Sequence, residues 1–211
     1  MKFRLPRIYP ITNVELSGLS HAEQVRRLAA GGATVIQLRE KQSPGAEFFT
    51  VAREALAVAR DLGVKLIIND RVDIALAVNS DGVHLGQDDL PIEAARNLLG
   101  SAAIIGISTH NLTQAAAAKN LPVDYVAIGP VFSTRTKTDT DPVLGLQGVS
   151  EAKLVVGNLP LVAIGGITQA NAAEVIRAGA DAVALISELV SVPNEISSRT
   201  ESLLKSLNST G

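Results

Sequence analysis

Eight short apolar runs, each followed by a stretch of helical period, predict an α/β fold, a single (β/α)8 TIM barrel. Composition agrees. The chain is 46% hydrophobic but only 3% aromatic, so its apolar mass is Ala, Val, Ile and Leu. That is the palette of parallel strands buried on both faces and of Ala-rich helices packed over them. A weak internal repeat points the same way. Leu28-Ala29-Ala30-Gly31-Gly32-Ala33-Thr34-Val35-Ile36 resembles Ile176-Arg177-Ala178-Gly179-Ala180-Asp181-Ala182-Val183-Ala184. Each copy reads as a helix end, a glycine turn and a buried strand.

The strands are expected at 8–12, 34–39, 65–69, 82–85, 103–108, 125–128, 161–164 and 182–186. Helix 21–30 is entered through Ser20 with Glu23 three residues on, a capping-box pattern. Helix 46–62 follows Ser43-Pro44 and stops at Gly63. A short helix at 71–78 comes next. Helix 92–99 ends at Gly100, and helices 113–119 and 148–156 follow. Helix 169–178 ends at Gly179, and a last helix falls within 194–207. No Pro/Ser-rich linker and no shift of composition interrupts the series, so one domain over residues 1–211 is expected. An open doubly wound sheet is the competing fold, but eight even repeats exceed what it typically uses.

Composition also excludes function classes. The net charge of −2 argues against a nucleic-acid partner, which needs a basic surface. The absence of cysteine removes disulfides, zinc-thiolate sites and thiol nucleophiles. No segment approaches the ~20 apolar residues of a spanning helix, and Met1–Arg7 does not read as a secretory signal. A cytoplasmic chain without a membrane partner is expected, either monomer or homo-oligomer.

In a barrel the reactive face lies at the C-terminal strand ends, and polar residues collect there. The second strand ends in Gln37-Leu38-Arg39-Glu40-Lys41, where alternation puts Gln37, Arg39 and Lys41 on one side. The third ends in Asn69-Asp70 and the fourth in Gly86-Gln87-Asp88-Asp89. The fifth ends in Ser108-Thr109-His110-Asn111, and the seventh in Gly165-Gly166-Ile167-Thr168. The eighth ends in Ile186-Ser187-Glu188. After the sixth comes Gly129-Pro130-Val131-Phe132-Ser133-Thr134-Arg135-Thr136-Lys137, hydroxyls and cations packed together as a phosphate or diphosphate site requires.

Each feature has a plainer alternative. Asp70 could be a helix N-cap, and Asp88 and Asp89 turn residues. Gln37, Arg39 and Lys41 could be a solvated strand end. His110 reads as a loop histidine, His84 as a satisfied core or barrel-lining side chain, and His21 as solvated on the first turn of its helix. Together the features favour a ligand. Two acidic residues at neighbouring strand ends suit a hard cation such as Mg²⁺, which uses one or two carboxylates, waters and a substrate phosphate. Gly165-Gly166 reads as an ordinary turn or as a place where the backbone approaches a ligand, and Thr168 is expected to open a helix with outward N–H groups, a second phosphate subsite.

The motifs Gln37-Leu38-Arg39-Glu40-Lys41, Asn69-Asp70-Arg71, His84-Leu85-Gly86-Gln87-Asp88-Asp89, Gly129-Pro130-Val131-Phe132 with Thr134-Arg135-Thr136-Lys137, and Ala163-Ile164-Gly165-Gly166-Ile167 together resemble the thiamine-phosphate synthases over nearly the whole chain. The resemblance implies an Mg²⁺-dependent barrel transferase. It joins hydroxymethylpyrimidine diphosphate to thiazole monophosphate, giving thiamine monophosphate and diphosphate. It assigns the pyrimidine diphosphate to Gln37, Leu38, Arg39, Glu40, Lys41, Asn69, Ser108 and Lys137. It assigns Mg²⁺ to Asp70 and Asp89, and thiazole phosphate to Thr134, Arg135, Thr136, Gly166, Ile186 and Ser187. Catalytic roles fall to Lys137, Arg39 and Ser108. The implied reaction is dissociative and needs no protein nucleophile, which suits a chain without Cys. Ser133 stands where many members carry proline, which leaves the loop geometry open. Three rivals remain: a thiazole tautomerase, an epimerase or isomerase of sugar phosphates using Asp70 and Asp89 as acid and base, and a non-catalytic sensor of a thiamine precursor.

Overall fold

The computed structural model describes residues 4–134 and 142–209. The strands are β1 (Ile8–Pro10), β2 (Val35–Leu38), β3 (Lys65–Asn69), β4 (Gly82–Leu85), β5 (Ile104–Thr109), β6 (Tyr125–Ile128), β7 (Leu161–Ile164) and β8 (Ala182–Leu185). They pair in parallel in the order β1-β8-β7-β6-β5-β4-β3-β2. The ring closes between β1 and β2, where Ile11 bridges Gln37 and the Thr12 N–H donates to the Gln37 carbonyl at 2.9 Å. The fold is a (β/α)8 barrel.

The helices are α1 (Val14–Ser17), α2 (His21–Ala30), α3 (Gly45–Asp61), α4 (Val72–Val78), α5 (Ile92–Leu99), α6 (Leu112–Ala118), α7 (Gly145–Val156), α8 (Ala172–Arg177), α9 (Ser187–Val190) and α10 (Ile196–Asn208). Local chemistry sets their ends. The Ser20 hydroxyl accepts from the Glu23 N–H at 3.2 Å to start α2. Asn79, at φ 57°, closes α4 in the left-handed conformation that Asn tolerates.

Alternation along each strand builds two cores. Ile36, Leu38, Ile68, Leu85 and Ile105 point outward into a large shell shared with the helices. Tyr9, Ile11, Val35, Ile67, Ile104 and Tyr125 fill the barrel interior. At the N-terminal end an aspartate precedes every even strand from β4 on. The carboxylates of Asp81, Asp124 and Asp181 accept from the backbone N–H of Leu66, Ile105 and Leu161 on the neighbouring strand, at 2.9, 2.9 and 2.8 Å. Each also pairs with a cation, respectively Lys65, Arg96 and Lys153.

Four differences from the sequence reading have local causes. β1 is regular only over Ile8–Pro10: the Ile11 N–H still reaches the Leu185 carbonyl of β8 at 3.0 Å, but Pro10 has no N–H to offer on the β2 side. Helix α1 is a single turn capped by the Asn13 side chain and ended by Gly18 at φ 65°, and α9 is equally short, so neither shows a helical period. Helix α7 starts three residues early, because the Leu144 and Gly145 N–H groups are held by the Pro130 and Val131 carbonyls at 2.9 and 3.0 Å. Helix α8 starts three residues late, at Ala172. The Asn171 side chain takes the Thr168 N–H at 2.8 Å, so Thr168 does not open a helix with free donors. No helix among the described residues is long and apolar enough to cross a membrane.

Candidate active site

A cavity of about 700 Å³ opens at the C-terminal ends of the strands. Its lining draws on nearly every strand end. Gln37, Arg39 and Lys41 come from β2 and the loop beyond it, Asn69 and Asp70 from β3, and His84 and Asp89 from β4. Ser108 and His110 come from β5, Thr134 from the loop after β6, Gly165 and Gly166 from beyond β7, and Ile186 and Ser187 from beyond β8.

Opposite charges meet on the β2–β4 side. Asp70 sits at φ 62°, a conformation rare for a residue with a side chain. This turn sends its carboxylate toward the mouth, where it accepts from Lys41 Nζ. It does not cap α4, whose N-cap position is Arg71 with no side-chain bond. Asp89 accepts the Gly86 N–H at 2.6 Å and lies close enough to Asp70 to feel its charge. Burial pushes the Asp89 carboxyl up and the Asp70 charge adds to it, against the Gly86 N–H. Two carboxylates with one ammonium leave room for a further cation.

The floor beneath is a line of polar groups inside the barrel. The Tyr9 and Tyr125 hydroxyls are 2.6 Å apart. His84 Nδ1 lies 2.9 Å from the Tyr125 hydroxyl, and its Nε2 lies 2.8 Å from Ser108 Oγ. The Gln37 side-chain amide donates to the Tyr9 hydroxyl at 3.4 Å. Burial pushes His84 down to about 4, against the pull of Asp89, so the ring is neutral at pH 7. It pushes Tyr9 up to about 12 and Tyr125 well above its usual value. A neutral ring has one N–H, so it donates to one of its two partners and accepts from the other. Beside this chain Asn69 Nδ2 is buried and has no partner, the one such side-chain atom among the described residues.

The far side of the mouth is backbone. The Val131 and Phe132 N–H groups donate to the Ile164 and Gly165 carbonyls at 2.9 and 3.0 Å, zipping the loop after β6 onto the loop after β7. Gly165 and Gly166 have φ of 103° and 63°. A Cβ on Gly165 would meet Pro130 at 2.7 Å, and one on Gly166 the Ser133 oxygen at 2.5 Å. The two glycines therefore serve loop-on-loop packing as well as lining the cavity. The Gly129–Pro130 peptide between β6 and this loop is cis.

Gln37, Arg39, Lys41, Asn69, Asp70, Asp89, Ser108, Thr134, Gly166, Ile186 and Ser187 thus converge on one cavity. Leu38 and Glu40 do not, because alternation turns them the other way. Leu38 is buried under the helices, and Glu40 is held by its own loop and by His21. His21 is not solvated but buried, with Nδ1 2.8 Å from Thr12 Oγ1. Arg135, Thr136 and Lys137 lie outside the described residues. Tyr9, Tyr125 and the site-facing role of His84 escaped sequence reasoning. A signal existed: the chain has two tyrosines, both in apolar strands, and a buried phenol needs a partner. His110 also lines the mouth, with Nδ1 3.1 Å from the Gly129 carbonyl.

Comparison with known proteins gives a consistent result. Residues 8–189 match the family model described as thiamine monophosphate synthase. The chain is 47% identical over 185 residues to the thiamine-phosphate synthase of Chloroflexus aurantiacus, covering 87% of this chain and 85% of that one. It is 42% identical over 210 residues to the thiamine-phosphate synthase of Koribacter versatilis, covering 96% and 98%. Among solved structures, the thiamine phosphate pyrophosphorylase of Pyrococcus furiosus superposes with a TM-score of 0.86 at 36% identity, covering 97% of this chain and 96% of that one.

Proposed function

The chain belongs to the thiamine monophosphate synthase family, a family of transferases, and on that premise we propose that it couples a pyrimidine diphosphate to a thiazole phosphate in thiamine biosynthesis. In this reading the bond between the pyrimidine methylene and the diphosphate oxygen breaks. The electron pair leaves with diphosphate, and the thiazole nitrogen lone pair forms the new C–N bond. The chain's work is to hold both substrates in line and to stabilise charge on the leaving group.

The observation that carries the reading is the meeting of Asp70, Asp89 and Lys41 with the unpartnered amide of Asn69 in one cavity. Asn69 lacks an acceptor that a bound substrate would supply. The carboxylates fit Mg²⁺. They are hard oxygen donors, they are two in number, and among the described residues no cluster of three acidic, His or Cys side chains offers a richer cage. When bound, Mg²⁺ would neutralise charge on the diphosphate. Arg39 and Lys41 reach the same oxygens from β2. Gln37 and Ser108 orient the pyrimidine from the floor. Thr134, Gly166, Ile186 and Ser187 face the thiazole phosphate from the opposite rim. Arg135, Thr136 and Lys137 keep the roles the family motif gives them, Lys137 on the leaving group. Substrates of this charge do not cross a bilayer unaided, which goes with a cytoplasmic chain.

The test is a steady-state assay of diphosphate release with both substrates and Mg²⁺, omitting each in turn. Release only with all three present is the expected outcome. Release that is indifferent to the thiazole phosphate, or absent altogether, rejects the proposal.

A further inference from the structure

Glu40 lies between the two cations of the β2 motif yet faces away from the mouth. Its Oε1 accepts from the backbone N–H of Gln42 at 2.8 Å and of Ser43 at 3.2 Å. Its Oε2 lies 3.4 Å from His21 Nε2. His21 Nδ1 is 2.8 Å from Thr12 Oγ1, which in turn accepts from the Arg39 N–H at 3.3 Å. The path starts on the backbone of Arg39 and returns to the backbone just beyond Lys41. It runs through the segment just after β1, the first residue of α2 and the loop that carries both cations.

Proton counting gives the path a direction. Thr12 Oγ1 accepts the Arg39 N–H and has one proton of its own to give. Beside a neutral His21 that proton is directed at Nδ1, which leaves the ring proton on Nε2, facing Glu40. Burial pushes His21 down despite Glu40, which keeps the ring in this neutral form at pH 7. Burial alone would push the Glu40 carboxyl up. The Gln42 and Ser43 N–H groups and His21 outweigh it, and Glu40 lies below the usual carboxylate range. Thr12 and His21 are 0% and 3% exposed, and none of the three side chains lines the cavity.

We propose that Thr12, His21 and Glu40 form a strut whose role is to position Arg39 and Lys41 for an anionic diphosphate. This rests on the reading that the mouth takes such a group. The need is geometric. Past Leu38 the ladder has ended, and residues 41–43 form bends, tied to a helix through the Gln42 side chain, which donates to Glu15 of α1 at 2.6 Å. On the cavity side Lys41 is held by Asp70, which would also have to hold Mg²⁺. An anchor behind the loop fixes both cations at once, because Arg39 and Lys41, on either side of Glu40, line the cavity and Glu40 does not. Glu40, carried by the family resemblance as a substrate ligand, is in this account a positioning residue.

The test uses the full chain with both substrates and Mg²⁺, and inorganic diphosphate as competing inhibitor. In Glu40→Ala, the KM for pyrimidine diphosphate and the Ki for inorganic diphosphate are expected to rise about tenfold or more. The KM for thiazole phosphate stays within about twofold, because that ligand is held from the other rim. Glu40→Gln keeps an oxygen for the two loop N–H groups and recovers most of the loss. His21→Ala shows the same one-sided pattern at roughly threefold, and decides the matter if Glu40→Ala does not fold. An active wild type with Glu40→Ala unchanged toward diphosphate overturns the strut. So does a loss that falls equally on both substrates, the mark of general loosening. An inactive wild type rejects the functional reading instead. Calorimetric titration of Mg²⁺ and inorganic diphosphate into wild type and Glu40→Ala then decides the strut alone, with equal or absent binding overturning it.

Discussion

At the scale of single residues, the buried imidazole of His84 ties the site's chemistry to the fold's stability. Its pKa is about 4 in the folded chain, against 6.5 for the free group. Between those values the unfolded chain binds a proton that the folded one refuses, so stability falls as pH drops through the window. The full shift corresponds to ~3 kcal/mol at most. His21, also pushed down by burial, acts in the same sense. Thermal midpoints measured from pH 7 to 4 should therefore decline, and less steeply in His84→Gln. An equal slope in the two proteins would contradict the assignment. His84 was legible as a strand side chain of the core or the barrel lining, because it sits inside an apolar run; its inward direction shows only with Val83 and Leu85 packed under the helices. His21 was not. Its helix is amphipathic and capped as expected, and only Thr12 and Glu40, distant in sequence, bury it.

At the scale of elements, the strands come from composition and the braces between them from single aspartates. Arg96 shows how one brace is built. It binds the Asp124 carboxylate at 2.7 Å while also donating to the Ala103 and Pro122 carbonyls. Asp124→Ala leaves the Ile105 N–H without its acceptor and removes the carboxylate from the guanidinium, which keeps its backbone carbonyls. A loss of about 1–3 kcal/mol in denaturant unfolding is expected. Activity well below the melting transition should stay near wild type, since the brace lies at the end of the barrel opposite the site. Loss of activity without loss of stability would contradict that placement. The sequence repeat at residues 28–36 and 176–184 exposed the α-turn-β unit, but not the aspartates, whose acceptor role needs the neighbouring strand in place. Strand cores were readable throughout. Element ends were not where one side chain decided them, as Asn171 does for α8 and Asn13 for α1.

At the scale of the whole molecule, closing the sheet is what makes a site. Residues from 37 to 187 become one rim because parallel strands all end on the same face. That much followed from counting strands and noting the polar residue after each. Alternation already put Gln37, Arg39 and Lys41 on one side, and only the family resemblance carried Leu38 and Glu40 along as ligands; what the sequence could not show is what holds those two, the helices over Leu38 and the His21 ring beside Glu40. Nor could it show that Gly165 and Gly166 hold two loops together. In the proposed function Asp70 and Asp89 recruit Mg²⁺ to a diphosphate held by the β2 cations. Calorimetric titration of inorganic diphosphate, with and without Mg²⁺, into wild type and the Asp70→Asn/Asp89→Asn double variant tests it most directly. Mg²⁺ should tighten binding to wild type by about tenfold or more, and the gain should vanish in the variant. A wild type indifferent to Mg²⁺, or a double variant that keeps the full gain, would contradict it.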